Sequence, residues 1–305
     1  TCALQGAQQL VLDQVNRGEP LSAIDLIKNK LLGTLQRAGG EHTIEEDFER
    51  WNRVLTNLTD DYQVQERFLR QFYNAFKHEA DIGVPRIPKA LRSNIIRVYE
   101  DLIDKDVERI FSRLEEASAI YAKNINPQEI EITSQPLARV LKNLENVTGA
   151  DAYMLLLFIE RRFRISESEK VKLVQLLCRY FIRRNITDTP PTRDLTNFFM
   201  AIVEKVNALT EYSYETVEAI ILDIGRPASD ELFAAKLRGD LYEENVGAVR
   251  YVLAAVEQAM SSTREIYTDF YARGAKNLYI WTVEHILPQG DNLPQDWVTM
   301  VAAGD

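Results

Sequence analysis

The sequence predicts a mainly α-helical protein built from multi-helix bundles, with one short β segment near the C-terminus. Apolar residues recur at helical spacing along most of the chain, for example in steps of four at Val64, Phe68, Phe72 and Phe76. The stretch 277–289 differs, because it reads NLYIWTVEHILPQ and is ended by Pro288 and Gly290. Its Tyr, Trp, Ile and Val content is typical of a β-strand.

Capping pairs locate the helices of the first half. Thr43 and Glu46 form a capping box that predicts a helix running through Leu58. Ser22 and Asp25 start an earlier helix, whose apolar face is formed by Ile24, Ile27, Leu31 and Leu35. A later helix is marked by Val107, Ile110, Phe111, Leu114 and Tyr121. We interpret the aromatic stripes of this half as core, not as a cofactor pocket.

A domain boundary is predicted between Asn124 and Gln135, around Pro127. Beyond it, Met154–Ile159 is apolar all round and should be buried. Ser166 and Glu169 form a second capping box, and the apolar positions of the helix after it are Val171, Val174, Cys178 and Phe181. A further helix is marked by Leu195, Phe198, Phe199, Ile202, Val203 and Val206.

Composition excludes several classes of protein. No segment reaches the roughly 18 apolar residues of a membrane span, and no charged-then-apolar leader opens the chain. We therefore expect a cytoplasmic protein with no membrane partner. The two cysteines, Cys2 and Cys178, cannot form a framework of disulfides, and Cys178 is interpreted as a buried small hydrophobe.

The net charge of −10 argues against a protein that coats nucleic acid by bulk electrostatics. A local basic cluster is still present, because residues 161–184 contain eight basic and two acidic residues, a balance of +6. One interpretation is a solvated face of two helices. The other is a DNA phosphate-contacting patch, whose candidate residues are Arg161, Arg162, Arg164, Arg179, Arg183 and Arg184.

An acid and a histidine, Glu284 and His285, lie toward the end of the predicted strand. A histidine beside a carboxylate can act as a general base next to a ligand of a hard metal ion, and phosphodiester hydrolysis requires both. On spacing alone, such a pair is more often structural than catalytic.

The string TVEHILPQ at Thr282–Gln289, followed by Trp297, resembles the opening of the HNH nuclease domain in GmrSD-type modification-dependent restriction endonucleases. Those proteins join an N-terminal ParB-like nucleotidase domain to the HNH domain through a helical middle. The segment Leu10–Leu32 is similar to the end of that nucleotidase domain, with Asn16, Arg17 and Gly18 in the turn. The string RYVLAAVE at Arg250–Glu257 is similar to the last long helix before the nuclease strand.

The resemblance implies a role for each residue of the Glu-His pair. His285 would be the general base that activates water, and Glu284 a ligand of Mg²⁺ or a similar divalent ion. A downstream Asn would complete the metal site, and we expect it past Asp305. Residues 273–305 would then be the start of a truncated ββα-metal (HNH) module. The segments before it would be the end of a nucleotidase domain (1–38), a helical spacer (39–130) and a second helical domain (131–272).

Three hypotheses about function follow. The first is that the chain is part of a bacterial antiphage restriction endonuclease that hydrolyses modified phage DNA, inactive as this fragment. Its nucleoside triphosphate would bind at an N-terminal domain outside this chain, because the Asp-Gly-Gln-Gln-Arg signature is absent, and Arg17 would be associated with that nucleotide. The second is a non-catalytic helical module that binds or regulates DNA or protein. The third is a nucleotide-dependent switch. A homo-oligomer stays open under all three.

Overall fold

The structure, a computed structural model, describes residues 22–39, 42–127, 134–260, 268–284 and 294–302. It confirms that the protein is mainly α-helical. Two compact units are formed, one up to Lys236 and one from Leu237 onward. None of the helices in the described residues is long and apolar enough to cross a membrane.

Eleven of the described helices begin in the first unit, and the apolar face predicted for the first one, Ile24, Ile27, Leu31 and Leu35, is buried. These helices are α1 (Ala23–Ala38), α2 (Ile44–Leu58), α3 (Tyr62–Phe76), α4 (Ile95–Lys105), α5 (Val107–Ile125), α6 (Gln135–Asn146), α7 (Tyr153–Arg162), α8 (Glu167–Thr187), α9 (Thr192–Asn207), α10 (Tyr214–Gly225) and α11 (Asp230–Leu237). A 3-10 turn at Ala150–Ala152 precedes α7.

The predicted capping boxes are confirmed. The Thr43 side chain accepts a hydrogen bond from the Glu46 backbone N–H at 3.2 Å, and the Glu46 carboxylate accepts from the Thr43 N–H at 2.7 Å. Helix α2 then runs to Leu58, as expected. Ser166 and Glu169 make the same reciprocal pair at the start of α8. These bonds satisfy backbone donors that an α-helix leaves without an internal partner in its first turn.

Replacing Ser166 with Ala should lower the free energy of unfolding by about 1 kcal/mol, because the Glu169 backbone N–H loses its acceptor. The matched control is Ser168→Ala, which removes an exposed hydroxyl from the same first turn. Urea denaturation followed by circular dichroism measures both variants. Equal stability of the two variants would contradict a role for the cap.

Helix α7 lies at the centre of the first unit. It packs against α3, α5 and α9. The apolar run Met154–Ile159 is almost fully buried, as predicted. Phe68, Phe72 and Phe76 of α3 are buried as well, and the ring of Phe76 lies 5.9 Å from that of Phe158. The aromatic stripe is therefore core.

The compact units differ from the predicted division near residue 130. Helix α5, which precedes that point, packs against α6 and α7, which follow it. Helix α3 also packs against α7, so the apolar faces on both sides of the expected boundary share one core within the first unit. The division falls after Lys236 instead, inside the segment 131–272.

The second unit contains α12 (Leu241–Glu244), α13 (Val246–Met260) and α14 (Gln295–Ala302) among its described residues. A 3-10 turn at Ala275–Asn277 and an isolated antiparallel bridge between Arg273 and Tyr279 lie between α13 and α14. The Arg250 guanidinium donates hydrogen bonds to the carbonyls of Phe270, at 3.2 Å, and Trp281, at 2.5 Å. Arg250 thereby ties this irregular segment to α13.

The described residues contain no β-strand, so the predicted segment 277–289 is not shown as one over residues 277–284. Residues 285–289 lie outside the described residues. Lys276 and Asn277 have positive φ values of 62° and 60°, which turn the chain back at the start of the segment. Leu278 and Ile280 are then more than 60% exposed. The residues described here, although strand-like in composition, form a short turn and one isolated bridge in place of a strand.

Candidate functional site

Glu284 ends the described part of the segment 268–284, and its carboxylate is exposed to solvent. It accepts a hydrogen bond from Thr282 Oγ1 at 2.5 Å. His285 and Arg17, the predicted general base and the predicted nucleotide-associated residue, lie outside the described residues. Within the described ranges, no group of three or more His, Cys, Asp or Glu residues is arranged to hold a metal ion.

Three of the six arginines in the predicted DNA patch are paired with carboxylates. Arg161 contacts Glu79 and Glu116, both at 3.3 Å. Arg183 contacts Asp230 at 2.6 Å and donates to the Ala228 carbonyl at 2.9 Å. Arg184 contacts Asp188 at 2.6 Å and donates to the Pro190 carbonyl at 3.0 Å. The guanidinium groups of Arg161 and Arg183 connect separate segments of the first unit, whereas that of Arg184 holds the loop that follows its own helix.

The other three arginines of that patch are exposed. Arg162 donates to the backbone carbonyls of Asn207 and Leu209, at 3.1 and 3.2 Å. The side chains of Arg164 and Arg179 are exposed to solvent as well. The positive charge that the sequence concentrates between 161 and 184 is therefore divided between internal ion pairs and a small exposed remainder.

A different basic feature is a cavity of about 330 Å³ in the first unit. It is lined by α3, the loop 89–92, the turn before α7, the first turn of α7, and α9. Four basic side chains contribute to the lining, and the acidic one is Asp151; the basic four are Arg67, Arg70, Lys89 and Arg92. We call this feature the basic cavity.

The wall of the basic cavity formed by α3 is held by a chain of hydrogen bonds. Arg67 Nε donates to the Tyr121 hydroxyl at 3.3 Å, and that hydroxyl donates to Gln71 Oε1 at 2.8 Å. Gln71 Nε2 in turn donates to the Ala150 carbonyl at 2.8 Å. Arg67 is thus oriented through its Nε, which leaves its two terminal nitrogens for other acceptors.

Two asparagines fix the loop that carries Lys89 and Arg92. The buried Asn74 accepts from the Ala90 N–H at 2.8 Å and donates to the Ala90 carbonyl at 3.2 Å. Asn94 accepts from the Leu91 N–H at 2.7 Å and donates to the Lys89 carbonyl at 3.0 Å. With its backbone groups bonded on both sides, the loop presents its basic side chains from a defined position.

Positive charge in the basic cavity is only partly neutralised. Arg70 and Arg92 share one carboxylate, Glu66, at 3.4 and 3.9 Å. Burial and, after it, the neighbouring Arg92 lower the pKa of Arg70. Burial also raises the pKa of Asp151, which accepts a hydrogen bond from Thr196 Oγ1 at 3.0 Å. The lining therefore combines several cationic donors with one carboxyl group.

The basic cavity was not predicted from the sequence. Its residues come from α3, the loop 89–92, the turn before α7, and α9, which are separated by long stretches of chain. The only local signal is the spacing of Arg67 and Arg70, one helical turn apart beside the aromatic stripe. No protein-family model, curated protein or solved structure matches this chain, so its function has to be argued from its own residues.

Proposed function

We propose that this chain is the helical middle and the start of the nuclease part of a metal-dependent endonuclease that restricts modified phage DNA. The observation that carries the proposal is the Glu284-His285 pair within the string TVEHILPQ. Its exposed carboxylate supports the proposal, because a metal ion needs an accessible oxygen donor. Residues 273–305 are assigned to the beginning of a ββα-metal module.

The two residues have separate roles in the proposal. His285 takes a proton from the attacking water, and its imidazole suits this because its usual pKa is close to neutral. Glu284 would hold the divalent ion, and the Thr282 hydroxyl, which donates a hydrogen bond to that carboxylate, would orient it. When bound, Mg²⁺ supplies Lewis-acid stabilisation of the charge on the phosphate oxygens. A downstream Asn is the further ligand that the resemblance implies.

The test is cleavage of supercoiled plasmid DNA by the full-length protein, with and without Mg²⁺. The plasmid is either unmodified or carries modified cytosines. His285→Ala and Glu284→Ala should each slow cleavage by about 100-fold or more, because each removes a group that acts in the transition state. The matched control is His78→Ala, which removes an exposed histidine from the first unit. Thermal unfolding checks that each variant is folded.

Cleavage by His285→Ala at the rate of the unsubstituted protein would remove His285 from the mechanism. Absence of metal-dependent cleavage by the unsubstituted protein would favour the second candidate, a non-catalytic helical module that binds DNA or protein. The observation that favours this candidate is that the first unit has its own core and its own basic cavity. The nucleotide-dependent switch stays a prediction that rests on residues 10–32.

A further inference from the structure

We propose that the basic cavity binds a small phosphorylated molecule that also carries hydroxyl groups, a nucleoside phosphate or a sugar phosphate. Arg67, Arg70, Lys89 and Arg92 would receive the phosphate. Asp151 and Thr196 would receive hydroxyl groups of the ligand. The proposal concerns the first unit alone and does not depend on the nuclease proposal above.

The first support is the incomplete pairing of the cations. Elsewhere in the first unit, Arg50, Arg113 and Arg183 each have a carboxylate oxygen within 3.0 Å. Arg161 has two carboxylates, each at 3.3 Å. In the basic cavity, Arg70 and Arg92 are farther from their shared Glu66. Among the described residues, neither Arg67 nor Lys89 forms a salt bridge. A surplus of positive charge in a protein of net charge −10 favours an anionic ligand.

The second support is that the donors are held in place without a ligand. Arg67 is fixed through Tyr121, and the backbone of the loop 89–92 is fixed through Asn74 and Asn94. Lys89 Nζ donates to Asn197 Oδ1 of α9 at 2.8 Å. Such preorganisation lowers the entropy that binding costs, because the side chains are already ordered.

Size and chemistry narrow the ligand. A volume of about 330 Å³ is at the lower end for small-molecule pockets, and it suits one compact molecule rather than a length of duplex DNA. Planar guanidinium groups match phosphate oxygens in pairs of hydrogen bonds. Asp151 would repel a bare phosphate but accept hydrogen bonds from ligand hydroxyls, so the lining fits a phosphate attached to a sugar.

The experiment is isothermal titration calorimetry of the 305-residue chain with AMP, ribose 5-phosphate, inorganic phosphate, adenosine and a 5′-phosphorylated DNA oligonucleotide. AMP or ribose 5-phosphate should bind, and adenosine should not. Arg70→Gln should weaken that binding by about 10-fold or more, because a charge-assisted hydrogen bond is lost. The matched control is Arg97→Gln, which removes one exposed positive charge from α4.

The variant Asp151→Asn distinguishes a site for a sugar phosphate from a site for a bare anion. It should weaken the binding of AMP or ribose 5-phosphate, though by less than Arg70→Gln does, because an acceptor for ligand hydroxyls is lost. It should strengthen the binding of inorganic phosphate, because a negative charge is removed. No binding of any free phosphate up to about 1 mM would overturn the proposal. So would equal losses in Arg70→Gln and Arg97→Gln, or binding of the DNA oligonucleotide alone.

Discussion

Replacing Arg50 with Ala is expected to lower the free energy of unfolding by about 3–5 kcal/mol, because it leaves the buried Asp47 carboxylate and the half-buried Glu115 carboxylate without this cation. The Arg50 guanidinium contacts Asp47 at 3.0 Å, Glu108 at 2.9 Å and Glu115 at 2.8 Å. It also lies over the Phe111 ring, 4.1 Å from its centroid. Burial opposes the charged form of Arg50, but the hydrogen bonds that its guanidinium donates to these carboxylates raise its pKa above the usual range.

The contacts with Glu108, Glu115 and Phe111 join α2 to α5, whereas the contact with Asp47 lies within α2. Asp47 is buried beside Arg50. In the Arg50→Ala protein its carboxylate would still be shielded from water but would no longer have a cation beside it, which is unfavourable. The matched control is Arg53→Ala, one helical turn further along α2. Arg53 contacts the same Glu115 at 3.4 Å from a largely exposed position, and its loss should cost no more than about 1 kcal/mol.

Urea denaturation followed by circular dichroism gives the free energy of unfolding for both variants. An Arg50→Ala protein as stable as the Arg53→Ala protein would show that the ion cluster adds nothing to the packing of α2 on α5. We expect the larger effect for Arg50 because its guanidinium is buried. The ion pair of Arg53 is exposed, and water and salt weaken the attraction between its two charges.

Replacing Phe76 with Ala is expected to cost about 3–5 kcal/mol as well, through a different mechanism, the creation of a cavity. Phe76 is fully buried, and its ring lies 5.4 Å from that of Phe72 and 5.9 Å from that of Phe158. The guanidinium groups of Arg113 and Arg161 lie over the Phe76 ring, at 5.3 and 5.2 Å from its centroid. Removal of the ring therefore removes apolar contacts and two cation–π contacts together.

The control is Phe48→Ala on α2, because Phe48 is a phenylalanine with 42% of its surface exposed. Its removal should change the free energy of unfolding by less than about 1 kcal/mol. Differential scanning calorimetry of the two variants measures the difference. If Phe76→Ala lowered stability no more than Phe48→Ala does, α3 would not pack against α7 as the structure places it.

The contacts of Arg161 affect how the predicted DNA patch is interpreted. In the sequence, Arg161 belongs to a cluster of like charges. In the structure it bridges Glu79, 82 positions earlier in the chain, and Glu116 on α5. Loss of DNA binding in an Arg161 variant would therefore have two explanations, altered packing or a lost phosphate contact. The exposed Arg164 and Arg179 are better residues for testing DNA contact alone.

Local signals in the sequence determined much of the helical architecture. The capping boxes at Thr43 and Ser166 define the starts of α2 and α8, because the donor and acceptor are three residues apart. The burial of Met154–Ile159 also followed from its composition, since a helix that is apolar all round has no face suited to water.

Tertiary structure alone decided which charges are paired and which cavity they line. Lys89 and Asp151 approach the Arg67–Arg70 turn only because α3, α7 and α9 pack together, and no pattern of spacing records such contacts. The same holds for the expected strand at 277–289, since a strand needs a partner that composition does not supply. Helix starts and apolar faces depend on neighbours within a few residues, whereas sheets, ion pairs and cavities depend on distant parts of the chain.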